Sequence, residues 1–555
     1  MKNRILFFLF IGFLQLFVSC GTSKSMRHKP DLSGFNSQKP IVVKKSDSVF
    51  ISGKNSLLKN KQGLWELYAE GDPLEIGFNT GALTDSLLKK QQQIFFSKIN
   101  DFIPSSFQQK LLRQFLRWYN RKLYLNVPEE YQTEIYGVSE YTSDEFNTIA
   151  PKYQRGLYLH GAHDIGHALQ DLALVGCSSF AAWNEKSEDG SLILGRNFDF
   201  YVNDAFAENK IAAFINPKEG YPFMMVTWPG MVGAVSGMNQ EGLTVTINAS
   251  KSKIPLIAKT PISILTREIL QHAKNIDEAV AIAKKRKVFV SESIMVGSAN
   301  DNKAILIEVS PTKMDVYDVP NSDQLICSNH FQGETFAADK RNKEQILNSH
   351  SEYRFERMQE LLSQNPKVNP EIASKILRNK NGLKDIELGY GSEKALNQLM
   401  AHHGIIFKPK EKLVWVSANP YQLGEFVCYD LNAVFGNRKN DSVVSFQKEN
   451  LNIAKDPFLE TTAYRDYQKF RIENHKIDSL LEKKETISPE FLHNYQSLNP
   501  DYWVVYYKAG LYFYQIKEFG QAKLNFEKAL TKEITTLPEK KQIEKYLKKI
   551  KRKLQ

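Results

Sequence analysis

Hydrophobic and polar positions change rhythm several times along the 555-residue chain. Ile5 to Val18 is an unbroken apolar run of 14 residues behind Lys2 and Arg4. From 21 to about 57, Ser, Lys, Pro and Gly dominate without a sustained period, the pattern of a flexible tether. Across 58–176 apolar residues recur three and four apart, as in Leu83-Thr-Asp-Ser-Leu-Leu-Lys-Lys-Gln-Gln-Gln-Ile-Phe-Phe96, and predict a helical segment. Near Cys177 the period falls to two. Residues 178–183, 191–195, 243–248, 304–309 and 413–418 predict strands, with Glu188-Asp-Gly190 and Glu241-Gly242 as turns. Residues 261–287 and 352–363 predict helices between them. The expected class is α+β, with the strand-rich unit at 177–435 and a linker with helices at 436–490.

Residues 491–555 differ again. Tyr506, Gly510, Phe513, Ala522, Phe526 and Ala529 fall at the spacing of a tetratricopeptide repeat, two helices packed through small residues. One such repeat buries no continuous core alone, so it is expected to dock on the main unit or on a protein partner. Composition narrows the class: 42% hydrophobic and 24% charged residues exclude a disordered, collagenous or multi-span membrane chain. Four cysteines exclude a disulfide-stapled scaffold. The opening apolar run is shorter than the roughly 20 residues of a membrane-spanning helix and suits an export signal over residues 1–20. Phe17-Val18-Ser19-Cys20-Gly21 resembles a bacterial lipobox, with Phe where Leu is more usual. Cys20 would then be acylated, which implies a lipid-anchored protein of the bacterial cell envelope, on the outer membrane or facing the periplasm. The plainer alternative is a secretory signal with an incidental cysteine. Losing Lys2 and Arg4 lowers the net charge from +11 to +9, and residues 539–555 alone carry +6. This basic tail is a solvated helix face or a contact for anionic lipid or polysaccharide. Nucleic acid does not suit an exported chain.

The densest chemistry lies in Val175–Phe200. A small residue and a cysteine open a strand, a tight turn follows, and a second strand ends in Arg196-Asn197-Phe198-Asp199. A hairpin of this length returns Arg196 and Asp199 beside Cys177. A cysteine between a cation and a carboxylate has the surroundings that thiolate chemistry needs, yet no histidine base is evident in this stretch. Cutting the Gly176–Cys177 bond would supply one: the freed α-amine, with an ordinary pKa of about 7.7–8.0, takes the thiol proton near neutral pH. Gly176, lacking Cβ, lets the backbone bend until the sulfur reaches its carbonyl.

Gly176-Cys177-Ser178-Ser179-Phe180, the Asp189-Gly190 turn and Gly195-Arg196-Asn197-Phe198-Asp199 resemble the N-terminal nucleophile (Ntn) hydrolases related to acyl-CoA:6-aminopenicillanic acid acyltransferase and choloylglycine hydrolases. The likeness runs from about Leu64 to Phe435. It takes in Glu75-Ile-Gly-Phe-Asn-Thr-Gly81, the stretch from Trp228 to Asn248, Cys327-Ser-Asn-His-Phe331 and Tyr353-Arg-Phe-Glu-Arg357. The resemblance implies a four-layer αββα sandwich, with Cys177 as nucleophile and Asp199 hydrogen-bonded to its α-amine. It further implies Arg196 beside the sulfur, Asn248 and Asn329 as amide donors near the reacting carbonyl, and Arg354 orienting the acidic groups. No cofactor is implied. Each residue has a plainer alternative: Arg196–Asp199 a structural ion pair, Asn248 and Asn329 strand-end hydrogen-bonders, and Arg357 in place of Arg354. Asn197 and Asn239 read as strand and turn hydrogen-bonders. Because 156 residues separate Cys20 from Cys177, a long pro-segment must be cleaved, which favours the acyltransferase branch.

The expected activity is attack on the amide of a linear acyl compound through a Cys177 thioester. Water or an amine then takes the acyl group, with acyl-CoA another possible substrate. Tyr201, Phe206 and Trp228 point to an apolar acyl pocket or to core packing. Two rival classes remain. A zinc hydrolase would use His163 and His167, which are i and i+4 in His160-Gly-Ala-His163-Asp164-Ile-Gly-His167, with His402-His403 as further ligands. A non-catalytic envelope scaffold would use the repeat-like tail. Cys327 and Cys428, flanked by apolar residues, read as buried thiols rather than as a disulfide.

Overall fold

The structure, a computed structural model, describes residues 20–103, 105–161, 164, 176–200, 203–253, 257–400, 402–436 and 444–555. Its strands are β1 (Val43–Ser46), β2 (Val49–Ser52), β3 (Asn55–Lys59), β4 (Trp65–Gly71), β5 (Ser178–Ala182), β6 (Ile193–Phe198), β7 (Ile211–Pro217), β8 (Phe223–Thr227), β9 (Ser236–Asn239), β10 (Leu243–Ala249), β11 (Glu292–Ser298), β12 (Lys303–Val309), β13 (Met314–Tyr317), β14 (Gln324–Cys327), β15 (His403–Lys408), β16 (Leu413–Ser417) and β17 (Phe426–Asp430). An 11-stranded sheet runs β1-β2-β3-β4-β7-β8-β9-β10-β11-β12-β13, and a 6-stranded sheet runs β14-β5-β6-β15-β16-β17.

The apolar runs are continuous because both faces of each sheet are covered. In β6, Leu194 points into the space between the sheets while Ile193 points outward; β15 repeats this with Ile405 and Phe407 inward and Ile406 outward. The inner residues meet Phe214, Met224, Val226, Met295 and Leu306 of the large sheet. On the large sheet's outer face, Ile211, Val245, Ile294 and Val296 pack with Leu265, Ile269, Ala279 and Ala283 of helices Ile262–His272 and Ile276–Lys285. On the small sheet's outer face, Phe180, Ile193, Ile406 and Trp415 pack with Met358, Leu362 and Ile376 of helices Ser351–Gln364 and Pro370–Leu377. The result is a four-layer αββα sandwich, as the sequence implied. Glycines at the tips of both expected turns, Gly190 and Gly242, have φ of +75° and +78°, which other residues adopt at a cost.

The N-terminal third departs from expectation. Residues 21–57 are no free tether. Helix Cys20–Arg27 is followed by a contact in which Gln154 Nε2 donates to the carbonyls of Ser25 (3.2 Å) and His28 (2.6 Å). Strands β1 to β3 then build an antiparallel meander. Nor is 58–176 helical throughout: β4 pairs in parallel with β7 over Trp65–Gly71 and Ile211–Pro217, inside the large sheet. The strands escape a local reading because β1, Val43–Ser46, is short and wholly exposed, and because the partner of β4 lies some 150 residues on. From Pro73 to His160 the chain is mainly helical, as expected. Helices Pro73–Leu83 and Glu129–Ser139 approach so closely that a Cβ on Gly77 would lie 2.3 Å from the Glu134 carbonyl oxygen, so Gly77 is fixed by backbone contact.

The C-terminal helices begin before 491. Helices Thr462–Lys483, Pro489–Leu498, Trp503–Gln515, Phe519–Leu530 and Leu537–Leu554 share one core around Tyr467, Phe470, Tyr495, Trp503 and Phe526. The stretch 436–490 is therefore partly a member of the helical layer rather than a linker. This layer docks on the sandwich: Tyr390 N donates to Asn499 Oδ1 (3.0 Å) and Asn499 Nδ2 to the Tyr390 carbonyl (2.8 Å). The basic residues of the last helix are exposed while Ile543 and Ile550 are buried. Among the described residues no helix is long and apolar enough to cross a membrane.

Candidate active site

Cys177 sits just before β5, buried between the two sheets. The hairpin β5–β6 pairs Ser179 with Arg196 and Ser178 with Asn197, which carries Arg196 back to the cysteine. Arg196 Nη2 donates to Cys177 Sγ at 3.6 Å and to the Ile247 carbonyl. Its Nη1 donates to Ser236 Oγ at 2.6 Å and to the Val235 carbonyl at 3.3 Å. These bonds, together with Phe198 beneath the guanidinium at 4.2 Å, fix its plane.

A second arginine holds the other side. Arg354 Nη1 donates to the Cys177 carbonyl (2.6 Å) and to Ser178 Oγ (2.8 Å), Nη2 to Asn329 Oδ1 (2.6 Å), and Nε to His350 Nδ1 (3.1 Å). Arg357, its rival in the sequence, turns away to Glu360 (2.7 Å) and Asp385. Arg354 is therefore the arginine at the cysteine.

Asp199 follows β6 and is wholly buried. Its Oδ1 accepts from Gln422 Nε2 at 3.4 Å, while Oδ2 has no hydrogen-bond partner among the described residues. The Nη groups of Arg196 donate elsewhere and among the described residues no hydrogen bond joins it to Asp199, so the two do not form a plain hydrogen-bonded ion pair. Burial pushes the Asp199 carboxyl up to about 7, opposed by the charges of Arg354 and Arg196. Burial also pushes the Cys177 thiol up to about 11, against the pull of Arg196. In the uncut chain the sulfur is thus held as a thiol at neutral pH.

The two asparagines differ. Asn248 Nδ2 donates to the carbonyls of Cys327 (3.0 Å) and Ser328 (3.1 Å), and Oδ1 accepts from Ser179 Oγ (2.8 Å). Both of its amide hydrogens are engaged, so in the uncut chain it ties three strand ends together rather than facing a reacting carbonyl. Asn329 Nδ2 donates once, to the Ala249 carbonyl (2.8 Å), which leaves one amide hydrogen. Asn197 and Asn239 are structural: Asn197 Nδ2 holds the carbonyls of Leu377 and Leu396, and Asn239 Nδ2 those of Leu270 and Ala273. Cys327 and Cys428 are free and buried.

The site also gathers residues to which the sequence assigned another role or none. Glu292 opens β11 opposite Ala249, buried and electrostatically coupled to Arg196 and Cys177, and burial pushes its carboxyl well above the usual range. His402 and His403 stand ring to ring, Nδ1 to Nδ1 at 2.9 Å, and His403 Nε2 reaches Ser236 Oγ at 3.0 Å, one bond from Arg196. They join the cysteine site rather than a histidine cluster. Of the expected metal motif, His163 and His167 lie outside the described residues. His160 uses both ring nitrogens on backbone groups, Gly156 O and Val232 N, each at 2.8 Å. Among the described residues no three His, Cys, Asp or Glu side chains converge as metal ligands.

An apolar cleft lies beside the site, lined by Phe200, Phe206, Trp228 and Met231 and by Leu88 and Ile135 of helices Asp85–Phe102 and Glu129–Ser139. Phe198, Phe200 and Trp228 stack on one another in the cluster that includes Cys177, with His402 edge-on to Trp228 at 5.4 Å. Phe206 and Trp228 thus line the cleft as expected, whereas Tyr201 lies outside the described residues.

Residues 183–419 match the family described as acyl-coenzyme A:6-aminopenicillanic acid acyl-transferase. This central region carries that family's pattern. The match bears out the resemblance over the motifs from Gly195 to Arg357 and spans the sandwich from β6 to β16, while Gly176–Phe180, with Cys177, and Glu75–Gly81 lie outside it. Two curated proteins are similar at 25% identity. An uncharacterized protein of Archaeoglobus fulgidus aligns over 46% of this chain and 45% of its own length, and protein dcd1B of Dictyostelium discoideum over 47% and 52%. The chain spans about half the length of the curated relatives it matches. Among solved structures, a Caenorhabditis elegans N-acylethanolamine-hydrolyzing acid amidase ortholog covers 42% of this chain and 93% of its own, with 18% identity and a TM-score of 0.32. A mutant conjugated bile acid hydrolase from Clostridium perfringens covers 49% and 96%, with 12% identity and a TM-score of 0.30.

Proposed function

We propose that the chain is an Ntn-type cysteine amide hydrolase or acyltransferase that cuts itself between Gly176 and Cys177. The observation that carries this reading is the setting of Cys177: sulfur on Arg196, carbonyl on Arg354, and beside them a buried carboxylate oxygen of Asp199 without a partner among the described residues. An unsatisfied buried acceptor costs about 1–3 kcal/mol, and a new α-amine on Cys177 is a donor that would satisfy it. Cutting therefore completes the site. The amine takes the thiol proton, Arg196 steadies the thiolate, and the sulfur attacks an amide carbonyl to give a thioester and release the amine product. Asn329, with one amide hydrogen left, is the nearer of the two asparagines to an oxyanion role. Water or a second amine then takes the acyl group.

The apolar cleft against Trp228 suits a linear acyl chain, and the family match supports acyl transfer as the reaction class. We further propose that Cys20 is acylated and that the protein works at a bacterial envelope surface, in keeping with the lipobox-like residues 17–21. Intact mass and N-terminal sequencing of the full chain beside Cys177→Ala test the central claim. A new terminus at Cys177 in the parent alone, with an acyl adduct on that fragment after incubation with an activated acyl amide, is the expected outcome. A single uncut, folded chain in both samples removes the proposed base and with it the mechanism. Running the reaction with and without an added amine separates hydrolysis from transfer.

A further inference from the structure

The residue that precedes the bond proposed to break is held at both of its backbone polar groups. Gly176 N donates to the Asp199 carbonyl at 3.1 Å, and the Gly176 carbonyl oxygen accepts from Gln398 Nε2 at 3.4 Å. A Cβ built on Gly176 would lie 2.2 Å from that same Nε2, so the amide of Gln398 fills the space where any side chain at 176 would stand. Glycine here does more than let the backbone bend, because it admits a hydrogen-bond donor to its own carbonyl. Gln398 is buried, and its neighbours hold it in register. Asn397 N donates to the Asn379 carbonyl (2.9 Å), Leu399 N to Asn397 Oδ1 (3.0 Å), and Tyr467 Oη, from the C-terminal helical layer, to the Leu399 carbonyl (3.1 Å).

Resting on the self-cleavage reading above, we propose that Gln398 is the oxyanion donor of that cleavage and so a catalytic residue of processing. As Cys177 Sγ adds to the Gly176 carbonyl carbon, a carbon–sulfur bond forms and the carbonyl π pair moves onto the oxygen that Nε2 faces. Collapse breaks the carbon–nitrogen bond, and the thiol proton ends on the departing nitrogen. A thioester of Gly176 on Cys177 and a free α-amine remain, and water hydrolyses the thioester to a Gly176 carboxylate and the Cys177 thiol. The bond drawn at 3.4 Å in the resting chain shortens as the oxygen gains charge, the behaviour expected of a donor placed for the transition state.

The test follows cutting of pulse-labelled full chain in the parent, Gln398→Met and Gln398→Glu. Both substitutions keep the length of the side chain; Met has no donor, and ionised Glu has none. Melting of each in a Cys177→Ala background, where no cutting intervenes, reports folding. The expected result is cutting about 10²–10³-fold slower in both variants, with melting of at least one within a few degrees of its background. Cutting at the parental rate in a folded variant overturns the role of Gln398 and leaves self-cleavage standing. A parent that never cuts takes both proposals down, and the two failures are thereby distinguished.

Discussion

The cleft between the sheets and the C-terminal helical layer are both well buried, yet they bury opposite things. Around Cys177, Arg196, Asp199, Asn248, Glu292 and Arg354 are fully inaccessible, and Arg196 Nε and Asp199 Oδ2 have no hydrogen-bond partner among the described residues. In the helical layer the interior is mainly aromatic. Phe470 stacks on Tyr495 at 5.7 Å, Phe526 on Tyr546 at 5.1 Å, and Trp503 closes the far end. The charged groups there are few and hydrogen-bonded, as in Lys394–Glu533, Lys532–Asp501 and Glu393, which accepts from Tyr502 and Thr535. Burying ionisable groups destabilises a fold unless each is paired, whereas burying rings stabilises it by roughly 1.5–3 kcal/mol per large side chain. The comparison teaches that the sheet region tolerates a local cost where chemistry needs it, while the helices contribute packing and brace the segment that carries Gln398.

Substitutions can break or sharpen that contrast. Cys177→Ala should abolish both cutting and turnover, seen as a single band and no product. Arg354→Ala removes the donors to the Cys177 carbonyl, Ser178 and Asn329 together, and turnover should fall by at least about 100-fold. Arg357→Ala, three residues on, should leave turnover within about threefold and lower only the melting temperature. Phe526→Ala should cost about 3–5 kcal/mol in denaturant unfolding of the helical layer, with turnover of the remaining folded protein near the parental value. The smallest effect concerns Asp199. Its folded-state pKa of about 7 lies above the ordinary carboxylate value near 4, so the folded chain binds that proton more tightly than the unfolded chain. The associated stability is fully present below about pH 4 and is lost as pH rises towards and past 7. In a Cys177→Ala background, Asp199→Asn should therefore melt a few degrees higher than its parent at pH 8, with the gap closing by pH 4.

Much of the sandwich was legible because period-two runs are local. Expected strands at 178–183, 243–248 and 304–309 fall on β5, β10 and β12, and the helix expected at 352–363 spans Ser351–Gln364. The helix expected at 261–287 is two, separated where Asn275 caps the second. Hairpin length brought Arg196 and Asp199 to Cys177, and the family resemblance added Asn329 and Arg354. What stayed hidden depends on long-range pairing. β4 reads as the start of a helical region because its partner β7 comes about 150 residues later, and the exposed Val-Lys-Lys-Ser of β1 looks like solvated chain. Gln398 and Glu292 are single residues outside the quoted motifs, and only the folded sheets bring them to the cysteine. The roles of the two asparagines are alike in sequence and separate only through the carbonyls each one meets.

The seven-rung parallel pairing of β4 with β7 has a consequence for the life of the molecule after processing. Before a cut at Gly176–Cys177 the chain finds that register as one connected strand of polymer; afterwards the two strands belong to different molecules. The sheet would hold them together as a heterodimer, but heat or denaturant would set two diffusing pieces free. Refolding would then need an encounter whose rate falls with dilution, and one partner would lack the covalent leash that set the register. Maturation would thus turn a reversible fold into one guarded by its unfolding barrier, and scan rate and protein concentration would shift the apparent melting temperature of the cut form but not of the Cys177→Ala chain.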